Sequence, residues 1–319
     1  MLNVILNVNG RLLPPEDALK PVIPAFDRSY LYGDSLYEVA RTYESRFLFL
    51  EEHLLRLAKS AALCRMALSQ PISHYRAECE KALKAFQALP GQAKTEAYCR
   101  IVVSRGTGKI GFGEENLLTP TQYVIIVQPL APPTAEQFEK GFNYQISRTR
   151  LRNHPRATDP AMKSGNYLNS LLAYLEATKD GFHDALLCDA QGFITEGTTF
   201  NIFYVRRGIV ATSPLDVGIL DGITRRHAIR IARGLGLEVR EVRFPKERLY
   251  EADEVFMTSS IKEVFPVTAL DGRKLADGKP GPLTRKLAQA VHADALRIVR
   301  ANAGARTGTE GRSAHAPAV

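Results

Sequence analysis

Lys163 stands in the run DPAMKSGNYLNSLLAYLEA, just ahead of a helical pattern. Leu168, Leu171, Leu172 and Leu175 fall at i, i+3, i+4 and i+7, the apolar stripe expected of a helix packed on a core. The start of a helix offers unpaired backbone N–H groups and the positive end of its dipole, neither of which suits an ammonium. A lysine in this place is therefore either an ordinary solvated loop residue or an amine poised for nucleophilic chemistry, of the kind that forms a Schiff base with a carbonyl.

The second reading needs partners. If the lysine holds an aldehyde cofactor such as pyridoxal phosphate, the ring nitrogen requires an acid and the phosphate requires an anion cradle. Glu196, in FITEGTTFN, lies at the end of a strand pattern and before a glycine, where a carboxylate can hold a pyridinium proton through a charge-assisted hydrogen bond; viewed alone it reads more readily as a turn glutamate. Gly222, Ile223 and Thr224, in LDGITRRHAIRIA, open a helix whose first N–H groups and hydroxyl converge on an anion. Ser259 and Ser260, in FMTSSIKEV, form a second hydroxyl-rich turn. Taken singly, Thr224 is also a plain helix cap and the serines plain turn residues. Motifs for competing chemistry are missing: the chain has no GxGxxG after a strand, no GxxxxGK[ST], no GxSxG and no HExxH.

The elements that must position these residues read as α+β throughout. Two apolar runs flank Asn9-Gly10, the signal of a type I′ hairpin. LEEHLLRLAKSAALCRM and ISHYRAECEKALKAFQAL have helical periodicity, whereas EAYCRIVVSRG and TQYVIIVQPL read as strands. Residues 1–127 are thus expected to form a small α+β domain. The proline-rich stretch 128–136 suits an interdomain linker, and 137–301 a larger cofactor-binding domain. In that second part, HDALLCDAQGFITEGTTFNIFYVRRGIVATSP is expected to form an antiparallel meander. ITRRHAIRIARGLG and PLTRKLAQAVHADALRIVRA are expected helices, LEVREVRF and DEVFMTSS expected strands, and 302–319 an expected disordered tail.

Composition narrows the class. With 45% hydrophobic and 24% charged residues among 319, the chain has the make-up of a globular protein with well-buried cores. No stretch approaches the ~20 apolar residues of a membrane span, and the N-terminus has no secretory pattern, so the expected compartment is the cytoplasm. Cys64, Cys79, Cys99 and Cys188 show neither CxxC pairing nor metal-ligand spacing, so reduced thiols and no metal are expected. The net charge of +8 comes from basic residues scattered among acids instead of a stripe, which argues against nucleic acid as partner.

In order along the chain, RSYLYGDSLYEVARTY, EEHLLRLAKSA, AYCRIVVSRGTG, KSGNYLNSLLA, ITEGTTFNIF, LDGITRRHAI and FMTSSIKEVFPV resemble the motifs of the class IV, or fold type IV, pyridoxal-phosphate aminotransferases. That family includes branched-chain aminotransferases, D-amino acid transaminases and aminodeoxychorismate lyase. The resemblance implies a two-domain α+β fold and a homodimer that shares residues across its interface. It implies that Lys163 is the Schiff-base lysine and Glu196 the partner of the pyridine nitrogen. Arg56 is similar to the arginine that grips the cofactor phosphate, supported by Ile223, Thr224, Ser259 and Ser260. Tyr167 is placed on the cofactor's phenolic oxygen, and Tyr32, Tyr98 and Arg100 in the substrate pocket. The partners so implied are small molecules, an amino acid and a 2-oxo acid such as 2-oxoglutarate.

Within the family the motifs divide. D-specific members carry an arginine and a histidine where RGTGKIGFG has Ile110 and Phe112, and AYCRIVVSRG resembles the branched-chain enzymes. Val39, in place of the usual branched-chain glycine, resembles the D-amino acid group, and VVSRGTGKIG has some likeness to the lyase. The expectation is a transaminase that favours branched-chain L-amino acids, with D-amino acid transamination or pyruvate-releasing lyase activity as alternatives.

Overall fold

The computed structural model describes residues 2–310. Strands β1 (Ile5–Val8) and β2 (Arg11–Leu13) form the opening hairpin, and Asn9 and Gly10 between them take φ of 50° and 90°. Both lie in the left-handed region, as the type I′ turn requires. Helix α1 (Arg28–Tyr32) leads into β3 (Ser35–Tyr43), a strand absent from the sequence expectation. Its run SLYEVARTY is buried along both faces, so it shows no alternation of apolar and polar types. There follow β4 (Arg46–Phe47), helices α2 (Leu50–Leu63) and α3 (Ile72–Gln87), and strands β5 (Ala97–Ser104) and β6 (Gln122–Pro129).

These six strands make one antiparallel sheet in the order β2-β1-β6-β5-β3-β4. Leu50, Leu54, Leu57 and Ala61 share one stripe of α2 and bury it with Ala40 of β3 and with Ala97, Cys99, Ile101 and Val103 of β5. Because side chains alternate along a strand, the opposite faces of β3 and β5 carry Tyr37, Val39, Tyr98 and Arg100 away from that core.

The chain then passes through α4 (Ala135–Lys140) into a second sheet. Since β6 runs to Pro129 and α4 starts at Ala135, the irregular connection is shorter than the 128–136 read from its prolines. The second sheet is built from β7 (Phe142–Leu151), β8 (Asp184–Cys188), β9 (Ile194–Gly197), β10 (Asn201–Arg206), β11 (Ile209–Thr212), β12 (Val239–Glu241), β13 (Glu254–Ser259), β14 (Glu263–Leu270) and β15 (Arg273–Lys274). Its order is β12-β11-β10-β13-β14-β7-β8-β9, with β15 on β14. The expected meander is two hairpins instead, β8–β9 and β10–β11, set apart in the sheet. Three pairings, β7 with β8, β7 with β14 and β11 with β12, are parallel. Parallel partners are distant in sequence, and local turn signals do not reveal them.

Helices α5 (Leu168–Lys179), α6 (Ile223–Gly234), α7 (Glu247–Tyr250) and α8 (Pro282–Glu310) complete the chain. Ala295 and Val299 of α8 return to Tyr43 and Leu48, tying the C-terminal helix to the first sheet. The helix continues to Glu310, past the boundary expected at 301, so the tail expected to be disordered from 302 is helical that far; 311–319 lie outside the described residues. The leucine stripe of α5 is turned the other way from expectation. Leu168, Leu171 and Leu175 are exposed, while Ser170, Ala173 and Ala177 face the interior, because small residues let the helix lie close to Ala185 and Leu187 of β8. Among the described residues, no helix is long and apolar enough to cross a membrane.

Candidate active site

The inner faces of the two sheets enclose a cavity of about 270 Å³. Lys163 lies on its wall, but not at a helix start: α5 begins only at Leu168. The lysine's segment is held instead as a short extension of the first sheet. Its carbonyl accepts from Tyr37 N at 3.0 Å, and Gly165 N donates to Ser35 O at 2.7 Å. Ser60 Oγ of α2 accepts from Lys163 N at 3.1 Å. The backbone is thus fixed on three sides, and the ammonium donates to Tyr37 Oη at 3.2 Å, 4.4 Å from the centre of that ring.

Glu196, at the end of β9, is buried on the same wall. Arg152 meets Oε1 at 2.5 Å, Asn201 Nδ2 donates to Oε2 at 3.0 Å, and Leu220 N donates at 3.1 Å. Burial pushes the carboxyl pKa up, and the Arg152 charge and the Leu220 N–H act against that. Gly222 leaves room for the Asn201 side chain that binds this carboxylate: a Cβ at 222 would lie 2.1 Å from Asn201 Oδ1. The same glycine is the N-cap of α6, so Ile223 and Thr224 open a helix whose first N–H groups have no intrahelical acceptor.

Arg56 projects from α2 beside the core stripe and is itself buried. It grips Glu38 with two bonds, Nε to Oε1 at 2.7 Å and Nη2 to Oε2 at 2.8 Å, and donates to Asp221 O at 2.9 Å. His53, one turn earlier, bonds the same carboxylate from Nδ1 at 2.8 Å. Burial alone would raise the Glu38 carboxyl; Arg56 and His53 outweigh it and hold the pKa at about 2. Burial lowers the pKa of His53, with Glu38 opposing. Ser259 and Ser260, at the end of β13, stand on the wall with Arg56, Ile223 and Thr224.

The cavity therefore brings together Lys163, Tyr167, Glu196, Arg56, Ile223, Thr224, Ser259 and Ser260, and adds Tyr98 and Arg100 from β5. Tyr32 is not on this wall. It ends α1 and turns onto the 105–113 loop, where its hydroxyl accepts from Gly111 N at 3.0 Å and its ring meets Phe112 at 5.1 Å. That loop, with Ile110 and Phe112 exposed, also lies off the wall, while Val39 is part of it.

Residues 35–270 match the family model described as Amino-transferase class IV. The chain is 35% identical over 281 residues to a putative branched-chain-amino-acid aminotransferase of Methanocaldococcus jannaschii, covering 88% of this chain and 92% of that protein. It is 31% identical over 283 residues to the D-alanine aminotransferase of Bacillus licheniformis, covering 89% and 94%. The crystal structure of the T.th. branched-chain amino acid aminotransferase with pyridoxamine 5'-phosphate superposes with a TM-score of 0.81 at 30% identity, covering 91% of this chain and 93% of that one. This chain is a class IV aminotransferase.

The donor set of this class IV aminotransferase fits a pyridoxal phosphate. An arginine, an open helix N-terminus and two serine hydroxyls supply an anion cradle, and a buried carboxylate stands on the same wall as an amine. Sequence reasoning missed Tyr37, Glu38, His53, Arg152 and Asn201. Tyr37 and Glu38 are neighbours in β3 and so face opposite sides of the sheet, but the mixed run SLYEVARTY, buried on both faces, gave no sign of which side is the cavity. Arg152 and Asn201 had no signal either, because their link to Glu196 is made only by the tertiary fold.

Proposed function

We propose that this chain is a pyridoxal-phosphate-dependent transaminase that moves an amino group from a branched-chain L-amino acid to a 2-oxo acid such as 2-oxoglutarate. The observation that carries the reading is the convergence of Lys163, Glu196 and Arg100 on one cavity. The cofactor supplies an electron sink for the carbanion formed at the substrate's α-carbon. Lys163 Nζ would be the base that takes the substrate's α-proton and delivers a proton to the cofactor's C4′ carbon, and Tyr37 Oη fixes where that nitrogen sits. Glu196 holds a proton against the ring nitrogen, with Arg152 and Asn201 keeping its carboxylate in place. Arg56, Ile223, Thr224, Ser259 and Ser260 hold the phosphate, and Tyr167 the phenolic oxygen. Tyr98 and Arg100 face the substrate, Arg100 as the carboxylate's counter-charge.

The acting unit in this proposal is a cytoplasmic homodimer. Its support is the exposed apolar surface of α5, Leu168, Leu171 and Leu175, and of the α1 and 105–113 tip, Tyr30, Ile110 and Phe112. Tyr32, which turns away from the cavity of its own chain, then serves the substrate pocket of the second protomer. A D-specific reading has one observation in its favour, Val39 on the cavity wall. Mixing the holoenzyme with L-leucine, L-isoleucine, L-valine or D-alanine and following the cofactor's absorbance separates the two. Faster conversion by the L-amino acids supports the proposal, and conversion by D-alanine alone overturns it. Pyruvate release from aminodeoxychorismate, with no 2-oxo acid formed from L-amino acids, makes the enzyme a lyase.

A further inference from the structure

The Ser259–Ser260 segment opens the turn between β13 and β14. Ser259 pairs with Glu263 across this hairpin, which leaves a connection of three residues, 260–262. Glu263 closes it with φ of 55°, the left-handed region in which hairpins of this length ordinarily place glycine. Glycine adopts that backbone without steric cost and glutamate does not, so a glutamate here points to a use of its side chain.

The carboxylate is held from three directions. Tyr43 Oη donates to Oε1 at 2.7 Å, Arg41 Nη1 donates to Oε1 at 3.3 Å, and His292 Nδ1 of α8 lies 3.1 Å from Oε2. The same Arg41 Nη1 donates to Ile261 O, inside the turn, at 3.0 Å. Arg41 and Tyr43 stand on the face of β3 that also carries Tyr37 and Val39, because side chains alternate along a strand. One guanidinium thus ties the first sheet to both a carbonyl and the closing carboxylate of the turn. Burial pushes the Glu263 carboxyl pKa up, but His292, Tyr43 and Arg41 outweigh it and hold the pKa below the usual carboxylate value.

Arg41, Tyr43 and Glu263 share the lining of a small void of about 20 Å³ with Thr224 and Ser260. Thr224 and Ser260 also line the main cavity, whereas Glu263 does not. The anchored carboxylate therefore lies behind residues whose other side faces the proposed phosphate. Ser259 Oγ accepts from Lys262 N at 3.1 Å, which keeps its own proton for an acceptor elsewhere.

We infer that Glu263 is a positioning residue for the cofactor phosphate: clamped by Arg41, Tyr43 and His292, it holds the 260–262 turn in the shape that aims the Ser259 and Ser260 hydroxyls at that phosphate. The inference rests on the transaminase reading, which assigns those serines to the phosphate, and adds the device that sets their place. Its effect passes through the turn, since Glu263 is off the cavity wall.

The test measures binding of pyridoxal phosphate, and of pyridoxal, which lacks the phosphate, to the full chain by equilibrium dialysis. Wild type is compared with Glu263→Gly, Glu263→Gln and Ser260→Ala. Glu263→Gly suits the left-handed backbone while deleting the clamp, and Glu263→Gln keeps the side chain's size while deleting its charge. Both are expected to weaken pyridoxal phosphate binding by about tenfold and to leave pyridoxal within about twofold of wild type, the same selective loss expected of Ser260→Ala. A loss of equal size for both compounds, the mark of a general structural defect, overturns the inference, and so does no loss for either. If Ser260→Ala weakens pyridoxal phosphate binding selectively and neither Glu263 variant does, the phosphate assignment stands and the positioning role falls. If wild type binds pyridoxal as tightly as pyridoxal phosphate, the phosphate assignment falls and the positioning role with it.

Discussion

Lys163 Nζ donates a hydrogen bond to Tyr37 Oη across 3.2 Å. The two residues come from separate segments, brought together by the backbone pairing of 163–165 with the start of β3. Burial, first among the causes, drives the Tyr37 pKa upward, so the group that receives the lysine's proton contact is a neutral phenol at working pH. Tyr37→Phe is therefore expected to lower kcat by about tenfold while cofactor affinity changes little, because the amine loses its positioning contact and no phosphate contact is touched. Equal kcat in wild type and variant would show that Lys163 is positioned by its backbone alone.

Glu196→Gln leaves the shape of the site intact and removes its charge. An amide cannot hold a proton on the ring nitrogen, and the loss of a charge-assisted interaction of ~1.5 to 4 kcal/mol in the transition state corresponds to a fall in turnover of roughly tenfold to a thousandfold. Cofactor binding, measured by equilibrium dialysis, is expected to fall much less. A variant with normal kcat and normal absorbance would remove Glu196 from the site.

The Glu38 carboxyl, held at about 2 by Arg56 and His53 against its burial, makes stability depend on acid. Its folded-state value lies below the unfolded one. Its contribution is therefore complete above the unfolded carboxylate value of about 4.3 and is lost as pH falls through about 2, a change on the order of a few kcal/mol. In urea unfolding, Glu38→Gln is expected to be less stable than wild type at pH 7, and the gap is expected to narrow between pH 4 and pH 2. A gap independent of pH would mean that the carboxylate's charge does not support Arg56.

The leucines of α5 supply a test of the assembly. Leu171→Asp with Leu175→Asp places charge on the exposed face without touching the buried Ser170, Ala173 and Ala177, so the helix itself is expected to remain folded. Sedimentation is expected to show a dimer for wild type and a shift towards monomer for the double variant. An unshifted dimer would place the interface elsewhere.

Local signals in the sequence were enough for the Asn9-Gly10 turn, for α2, α3 and α6, and for β5, β6 and β13, because each depends on turn chemistry or on a periodicity set by one buried face. The positions grouped by motif, Lys163, Glu196, Arg56, Thr224 and Ser259 among them, do share a cavity. Four features were hidden for physical reasons. A strand buried on both faces has no alternation, which concealed β3. Parallel pairing joins distant segments, which concealed the order of the second sheet. The apolar stripe of α5 has the same period whether it faces the core or the outside, and its alanines, not its leucines, decide the packing. The orientation of Tyr32 depends on a loop far along the chain.

In the proposed reaction everything turns on Lys163 being the amine that carries the cofactor. Lys262 lines the same cavity, so Lys163 has a definite competitor within the chain. Borohydride reduction of the holoenzyme followed by peptide mapping decides between them. A single reduced adduct on the peptide that contains Lys163 is the predicted result; an adduct on Lys262, or on any other lysine, would contradict it.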